Sequence, residues 1–461
     1  MTAEWLPRVG QFFLPAGEAV NDRHGGLVAI LAPDADGRVP TADRLIELVR
    51  ARIHLVPARF RQVLVPTPLR LAGPMLVDDP GFDAARHVRT LEDAGGTDAG
   101  FKARLSQYSQ EMLRPDRPLW EIALIPGLPD GRLALLIKLH HAIVEGEGAI
   151  SSLGSLLFAR GPTVDPGLPQ PWRPEPAPPP WRRFHLAVLD QARRSAGLLG
   201  GMGRGVAALL NRDSRQALRR AWRDQLGPGQ PPSLFNQPVG DGLAHEVAEA
   251  NLAQLTAIAA GCPGGATLDD VILAGIAGGL RTWLLARGHA LDNPVVQVPV
   301  VTEGRGLAPR RAFTQMPSFM VLPLPVDEPD PLERLRRIAR LAAERRLQAP
   351  AIGAWLAPLA ELPMPLYRRW AGWIYGRVFH FHLASLRGPP IVPYVLGSPV
   401  ERAFIVAPVR GRHAIRWTVL VLGGRVTISF ACDPAIVVEP ERLAFFIEAS
   451  IAELHEATTN G

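Results

Sequence analysis

The stretch Leu133-Ala-Leu-Leu-Ile-Lys-Leu-His140-His141-Ala-Ile-Val-Glu145-Gly146 is the most informative part of this chain. Its first seven residues are largely apolar and predict a buried strand that ends at the histidine pair. Neighbouring residues of a strand point to opposite faces, so the two imidazoles cannot easily bind one metal ion and no metal site is expected. One ring should face a cavity and the other the packed interior.

An imidazole titrates near neutral pH, so a ring that faces a cavity can take a proton from a hydroxyl group. The carboxylate of Glu145, four residues after His141, can fix the turn or hold an arginine. Spacing alone leaves a second interpretation open, in which both histidines only end a strand and their rings form hydrogen bonds with backbone groups.

The segments around this stretch predict a mixed arrangement of strands and helices. Trp120–Ile125 is a second apolar strand, and Gly127-Leu-Pro-Asp-Gly131 is typical of a hairpin turn. The other elements predicted before residue 160 are a strand at Leu27–Leu31, a helix at Thr41–Ala51 with Thr41 as its cap, and a helix at Gly100–Leu113.

The second half of the chain repeats this mixture without regular alternation. Its predicted helices are Leu268–Arg287 with Thr267 as cap, Leu332–Arg346 opened by Pro331, and Glu439–His455. Its predicted strands are Val295–Val301, Ala414–Leu422 and Arg425–Ala431, the last two joined by Gly423-Gly424. The fold class expected from this pattern is α/β of the mixed, α+β kind.

A chain of 461 residues is too long for one hydrophobic core, so two domains are expected. The proline-rich segment Gly161–Trp181 predicts an extended crossing between them. We therefore predict an N-terminal domain over 1–160, a linker with basic amphipathic helices over 161–232, and a C-terminal domain over 233–461.

The linker pattern Trp181–Leu226 combines apolar residues at helical spacing with many arginines. Glycines between residues 197 and 205 predict that it breaks into two helices. Two interpretations remain open: a helix that covers a domain with a solvated arginine face, or a basic amphipathic helix on an anionic membrane surface.

The formal net charge of +6 is modest for this length and comes from arginine, because Lys102 and Lys138 are the only lysines. No nucleic-acid-binding signature accompanies it, so no nucleic acid partner is expected. The two cysteines, Cys262 and Cys432, are expected to be small buried residues in a reducing compartment. No signal peptide or membrane-spanning segment is predicted, so the expected location is cytoplasmic, with contact to lipid only from the surface.

Several segments, in this order, resemble the wax ester synthase/diacylglycerol acyltransferase family. The resemblance rests on Phe82-Asp83, His87-Val88-Arg89, Arg117-Pro118-Leu119-Trp120-Glu121, Asp130-Gly131-Arg132, the histidine stretch, Phe235-Asn236-Gln-Pro238-Val-Gly240, Thr267-Leu-Asp269-Asp270-Val271, Val298-Pro299-Val300 and Asp330-Pro331-Leu332-Glu333-Arg334-Leu335. The family carries a Pro-Leu-Trp element and a His-His-x-x-x-Asp-Gly motif, and the likeness covers nearly the whole chain.

The resemblance implies two chloramphenicol-acetyltransferase-like domains, each a mixed sheet with helices, and an active-site tunnel between them. It implies that His141 deprotonates an acceptor alcohol, whose alkoxide attacks an acyl-coenzyme A thioester. His140 and Glu145 would support it. No acyl-enzyme, metal or resident cofactor is implied, since acyl-coenzyme A is a substrate.

The resemblance also suggests residues beside the substrates. Gly146 and the Pro118-Leu119-Trp120 element would line the tunnel, although Pro118-Leu119-Trp120 as plain core is an equal alternative. Asp270 is expected near the substrate region, capping or bracing its helix without proton transfer.

The chain departs from the family pattern at several positions. Glu145 stands where the family has Asp, and Asp269 where it has the Asn of an Asn-Asp pair. Gln315 lies near an expected Gly-Asn pair. Ala384-Ser385-Leu386-Arg387-Gly388-Pro389 replaces the usual Ser-Asn-Val-Pro-Gly-Pro.

The function implied is transfer of a long-chain acyl group from coenzyme A to diacylglycerol or a fatty alcohol, giving triacylglycerol or wax ester. Work at a membrane or lipid-inclusion surface would fit these substrates. One alternative is an acyltransferase that takes its acyl group from a carrier protein to esterify a polyketide or glycolipid. Another is a catalytically degenerate homologue that binds lipid through the retained fold.

Overall fold

The computed structural model of the chain describes residues 4–14, 24–143, 152, 154–163, 167–227, 233–300, 318–356, 359, 361–375, 377–407, 409 and 411–460. The described strands are β1 (Glu4–Trp5), β2 (His24–Leu31), β3 (Gln62–Val65), β4 (Met75–Asp78), β5 (Val88–Thr90), β6 (Trp120–Ile125), β7 (Leu133–His140), β8 (Ala244–Asn251), β9 (Val295–Val300), β10 (Ser318–Pro323), β11 (Phe381–Arg387), β12 (Tyr394–Val395), β13 (Ser398–Val406), β14 (Ile415–Leu422) and β15 (Arg425–Cys432).

The α-helices with defined bounds are α1 (Arg8–Phe12), α2 (Ala42–Arg52), α3 (Asp98–Gln110), α4 (Pro180–Leu210), α5 (Arg212–Ala221), α6 (Leu252–Gly261), α7 (Leu268–Leu285), α8 (Pro331–Leu356), α9 (Met364–Tyr375) and α10 (Pro440–Asn460). A π-helix over Trp222–Leu226 continues α5. The predicted mixture of strands and helices is confirmed, as are the segments foreseen at β2, β6, β7, β14 and β15.

The chain divides into two compact units. One comprises the residues up to Gly197 together with 387–408, and the other comprises 198–306, 316–386 and 409–461. These units differ from the predicted segments 1–160, 161–232 and 233–461 in two ways: the first boundary falls after Gly197, within α4, and β13 of the C-terminal half pairs with β2 in the first unit's sheet.

The first unit contains a six-stranded sheet in the order β12-β13-β2-β7-β6-β5 and a three-stranded sheet in the order β1-β4-β3. In the larger sheet β2 runs antiparallel to both β13 and β7, and β5 runs parallel to β6. All eight residues of β7 are buried. This explains why the sequence of β7 reads as a nearly continuous apolar run rather than as an alternation.

The second unit has its own six-stranded sheet, in the order β10-β9-β11-β14-β15-β8. Strands β14 and β15 form an antiparallel hairpin through Gly423 and Gly424, whose φ angles of 58° and 82° lie in the left-handed region that tight hairpin turns require. The apolar residues of α7 and α10 join this sheet in one core cluster with Trp417 and Trp283.

The prediction that the glycines between residues 197 and 205 break the linker pattern into two helices is wrong. α4 runs without interruption from Pro180 to Leu210 through those glycines, and the chain breaks instead at Asn211. The side chain of Asn211 accepts a hydrogen bond from the Ser214 amide and caps α5. A glycine costs a helix about 1 kcal/mol but does not forbid it, whereas a side-chain cap gives a new helix a place to begin.

Candidate active site

The histidine pair lies where β7 ends in the first unit's sheet. His140 is the last residue of β7 and stands directly opposite His24 of β2 in the antiparallel register. Residues opposite each other share a face, so the rings of His24 and His140 meet edge to face, with centroids 5.2 Å apart.

His140 is buried and tied to the backbone on both sides. Its own amide donates to the carbonyl oxygen of Leu119 at 3.0 Å. Its Nδ1 accepts a hydrogen bond from the Ala142 amide, also at 3.0 Å, which puts the proton of the neutral ring on Nε2. The second bond closes the turn that follows β7 and so fixes where the backbone of His141 goes.

His24 also has a hydrogen-bond partner. This residue was not identified from the sequence. Its Nε2 accepts a hydrogen bond from the Leu113 amide at 3.3 Å. The signal that could have drawn attention to it is the run His24-Gly25-Gly26 at the start of a strand, because paired glycines in a strand often mark close approach of another group.

Lys138 lies on the same face of β7 as His140. It holds in place the segment that runs from the end of α3 to Leu113. It is buried, its ammonium lies 3.8 Å from the centroid of the Tyr108 ring, and it donates to the carbonyl oxygens of Tyr108 and Glu111. Burial lowers the pKa of Lys138 to about 8. Lys138 and His24 therefore hold one segment in place behind His140.

His141 lies on the opposite face of the sheet from His140, as the strand geometry predicted. Its half-buried ring stands beside Phe13 at a centroid distance of 4.9 Å. A Cβ atom added to Gly25 would lie 3.2 Å from Cε1 and 3.5 Å from Nε2 of His141. The imidazole thus occupies space that exists because residue 25 has no side chain.

Position 10 requires glycine for a related reason. A Cβ atom there would lie 2.6 Å from the carbonyl oxygen of Ala142, immediately after His141. The short helix α1 therefore packs its backbone against the turn that carries the histidine. Gly10, Phe13 and Gly25 were not identified from the sequence, because nothing local indicates that they meet residue 141.

The Pro118-Leu119-Trp120 element lies in the interior of the first unit. Trp120 is buried, donates from its indole nitrogen to the Phe60 carbonyl oxygen at 2.8 Å, and stacks on His87 with centroids 4.2 Å apart. Leu119 contributes the carbonyl that holds His140. These contacts match the core alternative, and they place the element next to the histidine pair through its backbone.

Asp270 lies in the second unit and is only 1% exposed. It forms a capping box with Thr267: the Thr267 hydroxyl accepts from the Asp270 amide, and the Asp270 carboxylate accepts from the Thr267 amide at 2.8 Å. Arg346 of α8 also donates to the carboxylate, at 2.6 Å. The expected capping and bracing role is confirmed, and Arg346 is a partner that the sequence did not reveal.

Two predicted site residues, Glu145 and Gly146, lie outside the described residues. Within the parts of the chain that the structure does describe, no three His, Cys, Asp or Glu side chains are grouped so that they could hold a metal ion. Both cysteines are buried and free, as expected.

Comparison with known proteins identifies this arrangement. The catalytic domain of the wax ester synthase/diacylglycerol acyltransferase family matches residues 6–272, and the family's C-terminal domain matches residues 316–455. The chain belongs to this family. The resemblance predicted from the ordered motifs is confirmed, and with it the assignment of the chain as an acyltransferase.

Two relatives from Mycobacterium tuberculosis are described as candidate diacylglycerol O-acyltransferases. One is 30% identical over 345 residues, covering 73% of this chain and 70% of the relative. The other is 27% identical over 450 residues, covering 93% of this chain and 91% of the relative.

Solved structures support the fold. A wax ester synthase/diacylglycerol acyltransferase from Marinobacter aquaeolei gives a TM-score of 0.68 at 20% identity, covering 99% of this chain and 100% of that one. The cyclization-docking bidomain of a non-ribosomal peptide synthetase from Sorangium cellulosum gives 0.55 at 16% identity, covering 99% and 85%. The chain therefore has the fold of these two solved structures.

Two of the chain's departures from the family pattern touch each other. The hydroxyl of Ser385, on β11, donates to a carboxylate oxygen of Asp269, at the start of α7, at 3.1 Å. A serine hydroxyl is a donor and a carboxylate is an acceptor, so the two substitutions are chemically complementary. The two residues therefore form a contact between α7 and β11 within the second unit.

Proposed function

We propose that this chain transfers a long-chain acyl group from coenzyme A to the hydroxyl of diacylglycerol or of a fatty alcohol, with His141 as the general base. The observation that carries the proposal is the setting of His141. It is a half-buried imidazole at the end of a fully buried strand, in the space that Gly25 leaves open beside Phe13.

The chemistry follows from a base at this position. Nε2 or Nδ1 of His141 takes the proton of the acceptor hydroxyl as its oxygen attacks the thioester carbonyl carbon. The tetrahedral oxyanion then collapses, the carbon–sulfur bond breaks, and the thiolate of coenzyme A leaves and recovers the proton from the imidazolium. The ester and free coenzyme A are the products, and no step needs an acyl-enzyme, a metal or a resident cofactor.

The other site residues have supporting parts in this proposal. His140 fixes the turn through its bond to the Ala142 amide. Glu145 would position the following loop, and Gly146 would leave room beside the substrates. Pro118, Leu119 and Trp120 would set the wall behind the pair. A substrate contact of Asp270 stays a prediction beside the capping role described above.

The test is thiol release from palmitoyl-coenzyme A with hexadecanol or dipalmitoylglycerol as acceptor. A well-placed general base contributes about 10²- to 10⁴-fold, so His141→Ala is expected to lower kcat/KM by about 10³-fold. His289→Ala, which removes an exposed imidazole from the second unit, is the matched control and should keep the wild-type rate. Thermal unfolding checks that each variant is folded.

Equal rates for wild type and His141→Ala would contradict the proposed base. Turnover only with an acyl group bound to a carrier protein would favour the polyketide or glycolipid alternative. Retained lipid binding without turnover of either donor would favour the degenerate homologue.

The proposed acceptors also bear on where the chain works. Diacylglycerols and fatty alcohols partition into lipid, so an enzyme that uses them meets them at a lipid surface. In the part of the chain that the structure describes, no helix is long and apolar enough to cross a membrane. We therefore include in the proposal that the chain approaches a membrane or lipid inclusion peripherally.

A further inference from the structure

Helix α4 exposes large apolar side chains on its outer face. The exposed side chains and their exposed fractions are Trp181 (71%), Phe184 (41%), Val188 (45%), Leu189 (40%), Leu199 (69%) and Leu210 (78%). A helix on the surface of a soluble protein normally turns its apolar residues inward and its polar residues outward. On α4 this arrangement is inverted.

The spacing puts all of these side chains except Leu189 on one stripe, and Leu189 points about 80° away from Trp181. A helix advances 100° per residue, so Leu199, eighteen residues after Trp181, points in the same direction as Trp181. Val188, Leu199 and Leu210 are each eleven residues apart, which turns the direction by only about 20° per step. The five side chains form what we call the apolar stripe of α4, about 45 Å long at 1.5 Å per residue.

The inner face of the helix is made of small residues and fixed contacts. Ala187 and Gly201 are the described residues of α4 that are buried. Arg183 donates to the carbonyl oxygen of Pro66 at 2.8 Å, and Arg194 forms an ion pair with Asp190 at 2.5 Å within the helix. Of these contacts, the hydrogen bond from Arg183 to Pro66 ties α4 to the first unit, and Arg183 lies about 200° around the helix from Trp181, on the side away from the stripe.

The charges of α4 favour an anionic surface over other occupants. The helix carries five arginines, at 182, 183, 193, 194 and 204, against one acidic residue, Asp190, so its net charge is +4. Arg182 and Arg193 are exposed and, like the stripe residues, stand eleven positions apart, about 100° to 120° around from Trp181. This is the flank at which a cation meets lipid phosphates while the stripe enters the acyl region.

We propose that α4 docks the enzyme on an anionic lipid surface, with the apolar stripe inserted among the acyl chains and Arg182 and Arg193 at the phosphate groups. The inference deepens the proposed function, because it names the surface through which an acyltransferase reaches lipid-dissolved acceptors. Of the two interpretations that the sequence left open for this segment, exposure of the stripe favours the lipid one.

The first test is flotation of the full-length protein with vesicles of phosphatidylcholine and phosphatidylglycerol. Val188→Glu combined with Leu199→Glu is expected to lower binding more than tenfold, because each change puts a charge into the acyl region. Leu347→Glu is the matched control, since Leu347 is a leucine of α8 with 85% exposure and lies outside the stripe. It should float like wild type.

The second test separates the charges from the stripe. Each arginine near an anionic surface contributes about 1 kcal/mol, so Arg182→Gln combined with Arg193→Gln should lower binding to anionic vesicles roughly 30-fold. Arg44→Gln combined with Arg340→Gln changes two exposed arginines of other helices and should have little effect. Binding of wild type should also weaken in high salt.

A third measurement does not depend on a disruptive substitution. Both native cysteines are buried, so a polarity-sensitive dye can be attached selectively to Leu199→Cys, with Leu347→Cys as control. Vesicles are expected to shift the emission of the dye to the blue at position 199 but not at position 347.

Equal flotation of wild type and the Val188/Leu199 variant, or no emission shift at position 199, would overturn the inference. It would also be overturned if the stripe changes abolished a dimer instead of vesicle binding, since a second copy would then cover the stripe. If vesicles bind as expected but thiol release is absent in wild type, the proposed function fails while the docking surface stands.

Discussion

The placing of the His141 ring depends on the absence of a side chain at residue 25. Gly25 and Gly26 are neighbours on β2 and point to opposite faces. A Cβ atom at residue 25 would meet the imidazole of His141 at 3.2 Å, whereas one at residue 26 would meet the backbone carbonyl oxygen of Ile137 at 2.7 Å. The same substitution at these two positions should therefore have different consequences.

We expect Gly25→Ala to lower kcat/KM about tenfold while leaving stability nearly unchanged, since a ring can give way by a few tenths of an ångström but then sits out of position. Gly26→Ala should instead lower the free energy of unfolding by about 1–3 kcal/mol, because a backbone carbonyl cannot yield as easily. Thiol release and urea unfolding of both variants test this. Equal loss of activity at unchanged stability in both would contradict the assignment of the two faces.

At the scale of elements, the start of α7 depends on the capping box and on Arg346 of α8. Asp270 is almost wholly buried, so each partner it loses leaves polar groups unsatisfied. Caps of this kind contribute about 1 kcal/mol, and an ion pair with one buried partner couples two helices more strongly. The contacts predict that the two residues act as a unit.

A double-mutant cycle with Asp270→Asn and Arg346→Met should give a coupling energy of about 1–3 kcal/mol in urea unfolding. The control is Glu344→Gln, which removes an exposed charge from α8, the helix of Arg346. It should show no coupling energy with Asp270→Asn or with Arg346→Met. Additive effects of the two changes would count against the brace. A raised KM for the acceptor without loss of stability would support the predicted substrate contact of Asp270 instead.

The elements that could be predicted from the sequence are those whose signals are local. Strands β6 and β7 are apolar runs joined by a glycine-containing turn, and α7 begins at a threonine three residues before an aspartate. What could not be predicted depends on register between distant segments. His24 meets His140 only because β2 pairs with β7 in one particular register, and nothing local gives that register.

The lack of a local signal also explains why some residues of the site were not identified from the sequence. Arg346 lies 76 residues after Asp270, and Ser385 lies 116 residues after Asp269. Such contacts join parts of the chain that share no local pattern. The histidine pair could therefore be identified from the sequence, whereas the residues that surround it could be identified only from the structure.

At the scale of the molecule, β2 is held from both sides. β7 flanks it on one edge, and on the other β13 pairs with it from Gly26 to Leu31. Because β13 comes from residues 398–406, the sheet that contains β2 draws on segments nearly 400 residues apart in the sequence.

Each unit also contains a histidine whose burial ties stability to pH. Burial lowers the pKa of His87, in the first unit, to about 4, and that of His245, in the second, also to about 4. The Nδ1 of His87 lies 2.9 Å from the carbonyl oxygen of Trp120, which can only accept, so the neutral ring carries its proton there. A second proton would have to enter the packed interior.

The direction of the effect follows from which state takes up the proton. An unfolded histidine binds a proton near pH 6.5, and the folded ones only near pH 4, so in this window the unfolded chain binds more protons. Stability should therefore be greatest above pH 6.5 and fall as the pH drops from 6.5 to 4, by up to about 3 kcal/mol for each histidine.

His87→Gln isolates one of these contributions. The variant should be less stable than wild type at pH 7, because it loses the stacking of His87 on Trp120. Since it has no group to protonate, the gap to wild type should narrow by about 2 kcal/mol between pH 7 and pH 4.5. His289→Gln removes an exposed histidine of the second unit and is the control for the loss of an imidazole. The measurement is the free energy of unfolding in urea, for both proteins, between pH 7 and pH 4.5. A difference between His87→Gln and wild type that stays constant with pH would contradict the prediction, because it would mean that His87 binds its proton equally well in the folded and unfolded states.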